Sequence, residues 1–227
     1  MARWSWIFAL FLIFIFEPLY SYIFRYDVIK GDKRRHVEWR ILKKENDMIE
    51  FMSRNYMEDV SHRMELSPDL STLSWSFLNP RQKIDYRVNR AEGELIFAGK
   101  IGDETMSKKA RVSDLPWYQI HGYSLPEFLK NGQKEIEFFS VRPEDGKVFK
   151  LVAERKDVET VFVQEKPCRA IRVDVRLSGL LAHLGHVTYW FREHDLVFVK
   201  YQGMSGFPGS DPVVYELCEI KDTDSTS

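Results

Sequence analysis

The side chains best suited to hold a metal ion in this 227-residue chain are His183 and His186, spaced H-x-x-H, with Glu193 and His194 shortly after. Such a pair can offer two imidazoles to one ion, and a nearby carboxylate can complete the set. Two features weigh against it. No glutamate lies between the histidines, so the zinc-protease helix motif is missing. The flanking residues also read as β-strand, where positions i and i+3 point to opposite faces. No metal is therefore assigned. A serine nucleophile fares no better: Gly-x-Ser-x-Gly does not occur, and Ser205 sits in a Gly/Pro-rich loop with the wrong flanks. Phosphate-cradling or dinucleotide-binding glycine loops do not occur either, so no cofactor is expected. Acidic residues are interspersed with basic ones on the wet faces of strands, and no spacing selects an acid–base pair. The expectation is a protein without catalysis.

Cys168 and Cys218 fall in different expected strands and match no metal spacing. In an oxidising compartment they are candidates for a disulfide across the sheet; in a reducing one they are packed thiols. The aromatic residues form the other chemically distinctive set, at 14% of the chain. Trp75, Phe77, Tyr86, Tyr189, Phe191 and Phe198 sit at strand-like positions, and Trp117 falls between the two β blocks; these are the candidate ligand-binding residues. On a curved sheet they line the concave face, which is either a filled core or an apolar hollow for a lipid or acyl chain.

These residues must be positioned by strands. From 171 to 177, Ile171, Val173, Val175 and Leu177 alternate with Arg172, Asp174 and Arg176, the pattern of a strand with one wet face. A hairpin follows: Val187, Tyr189 and Phe191 alternate with Thr188, Trp190 and Arg192, the chain turns at 193–195, and β-formers resume from Leu196 to Tyr201. Residues 37–54 read as an earlier hairpin, residues 56–66 as a third strand, and residues 72–98 as a meander. Lys108, Lys109 and Arg111 read as an exposed loop, and 114–118 as a helical turn. Around 124–132 the helix signature is compact: Ser124 as N-cap, Pro126 in the first turn, Glu127 as the capping-box acid and Gly132 at the exit. Later strands are expected at 135–141, 147–154, 160–164 and 213–220. The fold class is mainly β, an antiparallel meander forming a barrel or half-barrel, with one short helical insert near 114–131 and an N-terminal apolar helix.

The N-terminus argues for export. A short positive start precedes an apolar run at residues 4–16, about 20 Å of helix against a hydrocarbon core of roughly 30 Å. Residues 1–24 thus read as a signal peptide or a membrane anchor touching the membrane through residues 4–24 if uncleaved. Residues 25–36 read as a polar linker, 37–220 as one β domain and 221–227 as a disordered tail. A formal charge of -1 without a basic stripe argues against nucleic acid as a partner. The expected location is extracytoplasmic, in a periplasm or cell envelope.

The leader, the meander, the helical interruption, the alternating stretch at 168–177 and the runs Val-Thr-Tyr-Trp-Phe at 187–191 and Leu-Val-Phe-Val-Lys-Tyr at 196–201 resemble an uncharacterised family of secreted bacterial domains of unknown function. The resemblance covers roughly residues 37–220. Such domains are similar in architecture to periplasmic lipoprotein carrier and receptor folds, whose curved antiparallel sheet wraps around helices and can hold acyl chains. The resemblance implies a binding or envelope-structural role, with a lipid or an envelope protein as partner, and supplies no catalytic residues. A hydrolase with an unrecognised site is the alternative from another class. The expected helix is too short to plug a half-barrel as carrier helices do.

Overall fold

Among the described residues, two-residue alternation carries the chain back and forth through fourteen antiparallel strands in one curved sheet. The computed structural model describes residues 21–179, 185–204 and 212–223. The first meander is β1 (Ser21–Lys30), β2 (Lys33–Lys43), β3 (Ile49–Asn55), β4 (Val60–Leu66), β5 (Thr72–Asn79), β6 (Ile84–Ala91), β7 (Glu94–Ile101) and β8 (Glu104–Arg111). Helix α1 (His121–Lys130) separates it from β9 (Glu135–Val141), β10 (Val148–Val163), β11 (Lys166–Leu177), β12 (His186–Arg192), β13 (Phe198–Met204) and β14 (Pro212–Asp222). Within each meander every strand pairs with its sequence neighbour, and β1 pairs with β14 to fuse the two. The ends, β8 and β9, share no ladder, so the sheet is curved without closing.

The segment at 112–120 crosses from one end of the sheet to the other. Trp117 makes a parallel bridge with Phe139 of β9, and its carbonyl accepts from Thr72 N of β5 at 2.7 Å. The β9–β10 turn reaches back toward the first meander, where Tyr86 Oη donates to Pro143 O at 3.0 Å and Lys108 Nζ to Gly146 O at 2.9 Å. The gap is thereby bridged by side chains and one extended segment. The expected helical turn at 114–118 does not form, because Trp117 and Tyr118 spend their backbone groups on Thr72 and Phe139.

The concave face holds the core. Trp75, Tyr86, Phe97, Phe138 and Phe191 are buried there, and Leu125, Phe128 and Leu129 of α1 pack into the same cluster. Helix α1 can approach closely because its second residue is glycine: a Cβ at Gly122 would lie 2.8 Å from Phe198 Cδ1 and 2.9 Å from Trp39 Cη2. The helix begins at His121 rather than Ser124. Ser124 is fully buried inside the first turn, where its hydroxyl donates to Leu70 O at 2.9 Å, so a tertiary bond displaces the expected cap. Gly132 leaves the helix at φ 67°, as its place in the signature requires. The helix is ten residues long, and its buried face packs on the concave side.

Other expectations are corrected too. Residues 25–36 are not a linker: they form most of β1 and the start of β2, in the middle of the sheet. Phe24, Tyr26 and Val28 face the core cluster while Arg25 and Asp27 take the opposite face, and that wet face lends the stretch its polarity. Ser21 to Phe24, expected in the leader, already pair with β2. The remainder of the leader lies outside the described residues, and among those described no helix is long and apolar enough to cross a membrane. Lys221 and Asp222, expected in the tail, pair with Ile23 and Tyr22. Lys108, Lys109 and Arg111 belong to edge strand β8, where charge suits an unpaired edge. A turn occupies residues 56–59 ahead of β4. Leu73 faces out because a bulge opposite Glu65 and Leu66 shifts the alternation, leaving Trp75 and Phe77 facing in.

One hairpin makes a second layer. Instead of turning at Lys156, β10 bulges between Arg155 and Val158 and runs on to Val163. The β10–β11 tip lies against the outer face, where Gln164 Nε2 donates to Asp27 Oδ2 at 3.1 Å, Lys200 Nζ to Phe162 O at 3.0 Å and Trp190 Nε1 to Glu159 Oε1 at 2.5 Å.

Candidate functional site

A cavity of about 470 Å³ opens on the concave side, between the first turn of α1, strands β2–β4 and strands β12–β14. Trp39, Phe198, Tyr201 and Tyr215 supply aromatic wall; His62, His121, Ser140 and Gln119 supply polar groups. Glu58 and Asn55 come from the β3–β4 turn, where Asn55 Nδ2 donates to Glu58 Oε2 at 3.1 Å and Glu58 also pairs with Arg35.

Tyr189, Tyr201 and Tyr215 lie opposite one another on adjacent strands β12, β13 and β14, while Trp39 comes from β2. Phe198, three residues before Tyr201, reaches the same face because the β12–β13 ladder shifts register between Trp190 and Phe191. Their rings stack or tilt at 4.9 to 5.8 Å between centroids, including Tyr189–Tyr201 and Trp39–Phe198. His121 enters from the start of α1. Its Nδ1 lies 3.0 Å from Tyr189 Oη and its Nε2 3.1 Å from Ser140 Oγ. His62, on β4, accepts at Nδ1 from Trp75 Nε1 at 3.2 Å.

Burial disfavours the charged imidazole, and it pulls both His62 and His121 down to about 4. Both rings are therefore neutral at pH 7, each with one donor and one acceptor nitrogen. The same desolvation pushes Tyr189 well above the usual phenol range and Tyr201 up to about 12. Gln119 is used up structurally: its amide donates to Val141 O at 2.7 Å, and its carbonyl accepts from Val141 N and Trp117 Nε1.

Ser140, His121 and Tyr189 have the reach of a nucleophile, a base and an orienting group. The chemistry does not follow. An imidazole held near 4 is a weak base at neutral pH, and a neutral phenol cannot stabilise an imidazolium as a carboxylate does. The arrangement lines the cavity with neutral hydrogen-bonding groups.

Of the aromatic residues singled out in the sequence, Tyr189 and Phe198 border this cavity. Trp75, Phe77, Tyr86, Trp117 and Phe191 are packed into the core; Trp75 meets Tyr86 edge-on at 5.5 Å, for example. His62, His121 and Ser140 were missed. Each is a single polar residue inside a strand or helix pattern, with no spacing that marks it. His183 lies outside the described residues. His186 and His194 face separate carboxylates, Asp174 at 3.8 Å and Asp195 at 3.6 Å. Cys168 and Cys218 are free thiols, so the disulfide considered from the sequence is not made.

Among solved structures, the chain is similar to a beta-barrel-like protein of domain of unknown function DUF1849 from Brucella abortus. The TM-score is 0.60 at 10% identity, covering 92% of this chain and all of that one. This is a β-barrel-like domain. A DUF1329 family protein from Desulfovibrio piger aligns over 92% of this chain and 88% of its own at 10% identity, with a TM-score of 0.29. No protein-family model and no curated protein matches the chain. At this identity the likeness concerns fold alone, and it agrees with the resemblance to uncharacterised domains built on a curved antiparallel sheet.

Proposed function

We propose that this β-barrel-like domain is a non-enzymatic binding protein acting outside the cytoplasm, and that its cavity takes a small amphipathic molecule. The observation that carries the reading is the cavity itself. Most of the concave side is filled, yet about 470 Å³ is left open beside Trp39, Phe198 and Tyr201, within the range of small-ligand sites. Aromatic wall favours an acyl or ring portion, while His121, Ser140 and the Asn55–Glu58 turn offer hydrogen bonds to a polar end. Such a lining suits one narrow apolar group with a head group better than a bulky lipid. The apolar run at residues 4–16 supports export.

Native mass spectrometry and solvent extraction of gently purified protein test this. The expected result is a bound small molecule, lost in Ser53→Phe, which fills the cavity from β3. In stripped protein, a medium-chain fatty acid is expected to change the fluorescence of the wild type and not of that variant. An empty cavity whose tryptophan signal ignores added fatty acid would overturn the proposal.

A further inference from the structure

A second group of chemically able side chains lies on the opposite, outer face of the sheet. Asp27 of β1 is directly opposite His36 of β2 in register. Cys218 of β14 joins them through a bulge: Arg25 pairs with Glu219 and Tyr26 with Leu217, which leaves Cys218 unpaired. A bulge of this kind re-aims one side chain. One ligand atom each from Asp27, His36 and Cys218 lies within 4.8 Å of the others.

The two oxygens of Asp27 are treated differently. Oδ2 accepts from Gln164 Nε2 at 3.1 Å, from the overlying hairpin tip, and lies 3.4 Å from Arg34 Nη1. Oδ1 has no hydrogen bond although the side chain is only 4% exposed. His36 Nδ1 is 2.7 Å from it, close enough for an ion pair, though no hydrogen bond is formed. A buried carboxylate oxygen left so is costly, and it points at the imidazole and the thiol. Cys218 Sγ donates to Arg25 O at 3.1 Å.

A His–Asp ion pair would engage two of these groups and leave the thiol on the Arg25 carbonyl alone. A cation accounts for all three. We propose that Asp27, His36 and Cys218 bind one divalent transition-metal ion of the zinc class. Mixed sulfur, nitrogen and oxygen donors suit such an ion, and bonds of about 2.0–2.3 Å require the imidazole to swing slightly away from the carboxylate as the ion enters between them. Gln164 and Arg34 hold the far oxygen and orient the carboxylate, as outer partners of metal ligands do. On one side of the cluster Cys218 lines a groove of about 610 Å³ between the hairpin tip and the sheet, together with Gln164, Cys168, Arg169 and Arg192. The chain supplies three ligands, so a four-coordinate ion would take its fourth from solvent or a bound molecule. The His36 side chain is 71% exposed, so an ion can enter from solvent.

Cobalt(II) titration of the EDTA-stripped, reduced full chain tests the site, because a cobalt–thiolate bond has its own charge-transfer absorption. The expected result is a thiolate band saturating at one cobalt per chain and displaced by zinc. Cys218→Ser abolishes the band, and His36→Gln and Gln164→Ala weaken binding about 10- to 100-fold. Cys168→Ser leaves both unchanged. His36 and Cys218 are exposed, and circular dichroism checks that their variants fold. Absence of the band, its persistence in Cys218→Ser, its loss in Cys168→Ser, or binding unaltered by His36→Gln would overturn the proposal.

Discussion

Lowering the pH from 7.5 to 4.5 is expected to destabilise the domain by about 2–3 kcal/mol through His62 and His121. Each imidazole titrates near 6.5 when unfolded and is held at about 4 in the fold by burial. The folded value is depressed, so the unfolded chain takes the proton first. The contribution is intact above pH 6.5 and is lost as the pH falls toward 4. A gap of this size corresponds to about 3 kcal/mol per ring at roughly 1.4 kcal/mol per pH unit, and most of it is expressed by pH 4.5. Both rings keep an edge on the cavity, and water there screens the new charge, reducing the figure to about 1–1.5 kcal/mol each. The rings also differ in their partners. Protonating His62 turns the acceptor for Trp75 Nε1 into a second donor, whereas the hydroxyls of Tyr189 and Ser140 can reorient around His121. Urea unfolding, followed by tryptophan fluorescence and circular dichroism at both pH values, measures the loss. His62→Asn keeps a carbonyl for Trp75 and cannot titrate, so it should remove half of the dependence or more. Adding His121→Asn should flatten most of the remainder. Asp145, lowered to about 2 by its bond from Arg142, titrates below this window. Equal stability of the wild type at the two pH values, or an undiminished slope in the double variant, would refute the reasoning.

Gly99→Ala is expected to lower stability by more than about 3 kcal/mol in thermal or urea unfolding. Its Cβ would fall 2.3 Å from Asp85 O and 2.4 Å from Tyr86 Cα, backbone atoms with no room to move. Gly102→Ala, with a positive φ but nothing within 4 Å, should cost only about 1 kcal/mol. Phe128→Ala removes the 1%-exposed anchor of α1 and should cost about 3–5 kcal/mol. Full stability in that variant would show that the helix does not plug the sheet.

Much of the architecture was legible because a strand with one wet face writes its geometry into alternate residues. The stretch at 171–177 and the 187–201 hairpin declare themselves this way, as does the hairpin at 37–54. The same rule misled where polarity came from the wet face alone. Residues 25–36 look like a linker, yet Tyr26 and Val28 are the inward half of a central strand. Glycine at 132 marked the end of α1, but its start was set by Ser124 bonding to Leu70, 54 positions away.

The candidate sites were not legible. Asp27, His36 and Cys218 are scattered over nearly 200 positions and meet because the first strand pairs with the last. His62, His121 and Ser140 converge because α1 folds back into the concave face. Local sequence thus determined which residues face inward or outward, since that depends on neighbours two positions apart. Tertiary structure alone decided which inward and outward residues share a site, since that depends on strand order, bulges and where one short helix comes to rest.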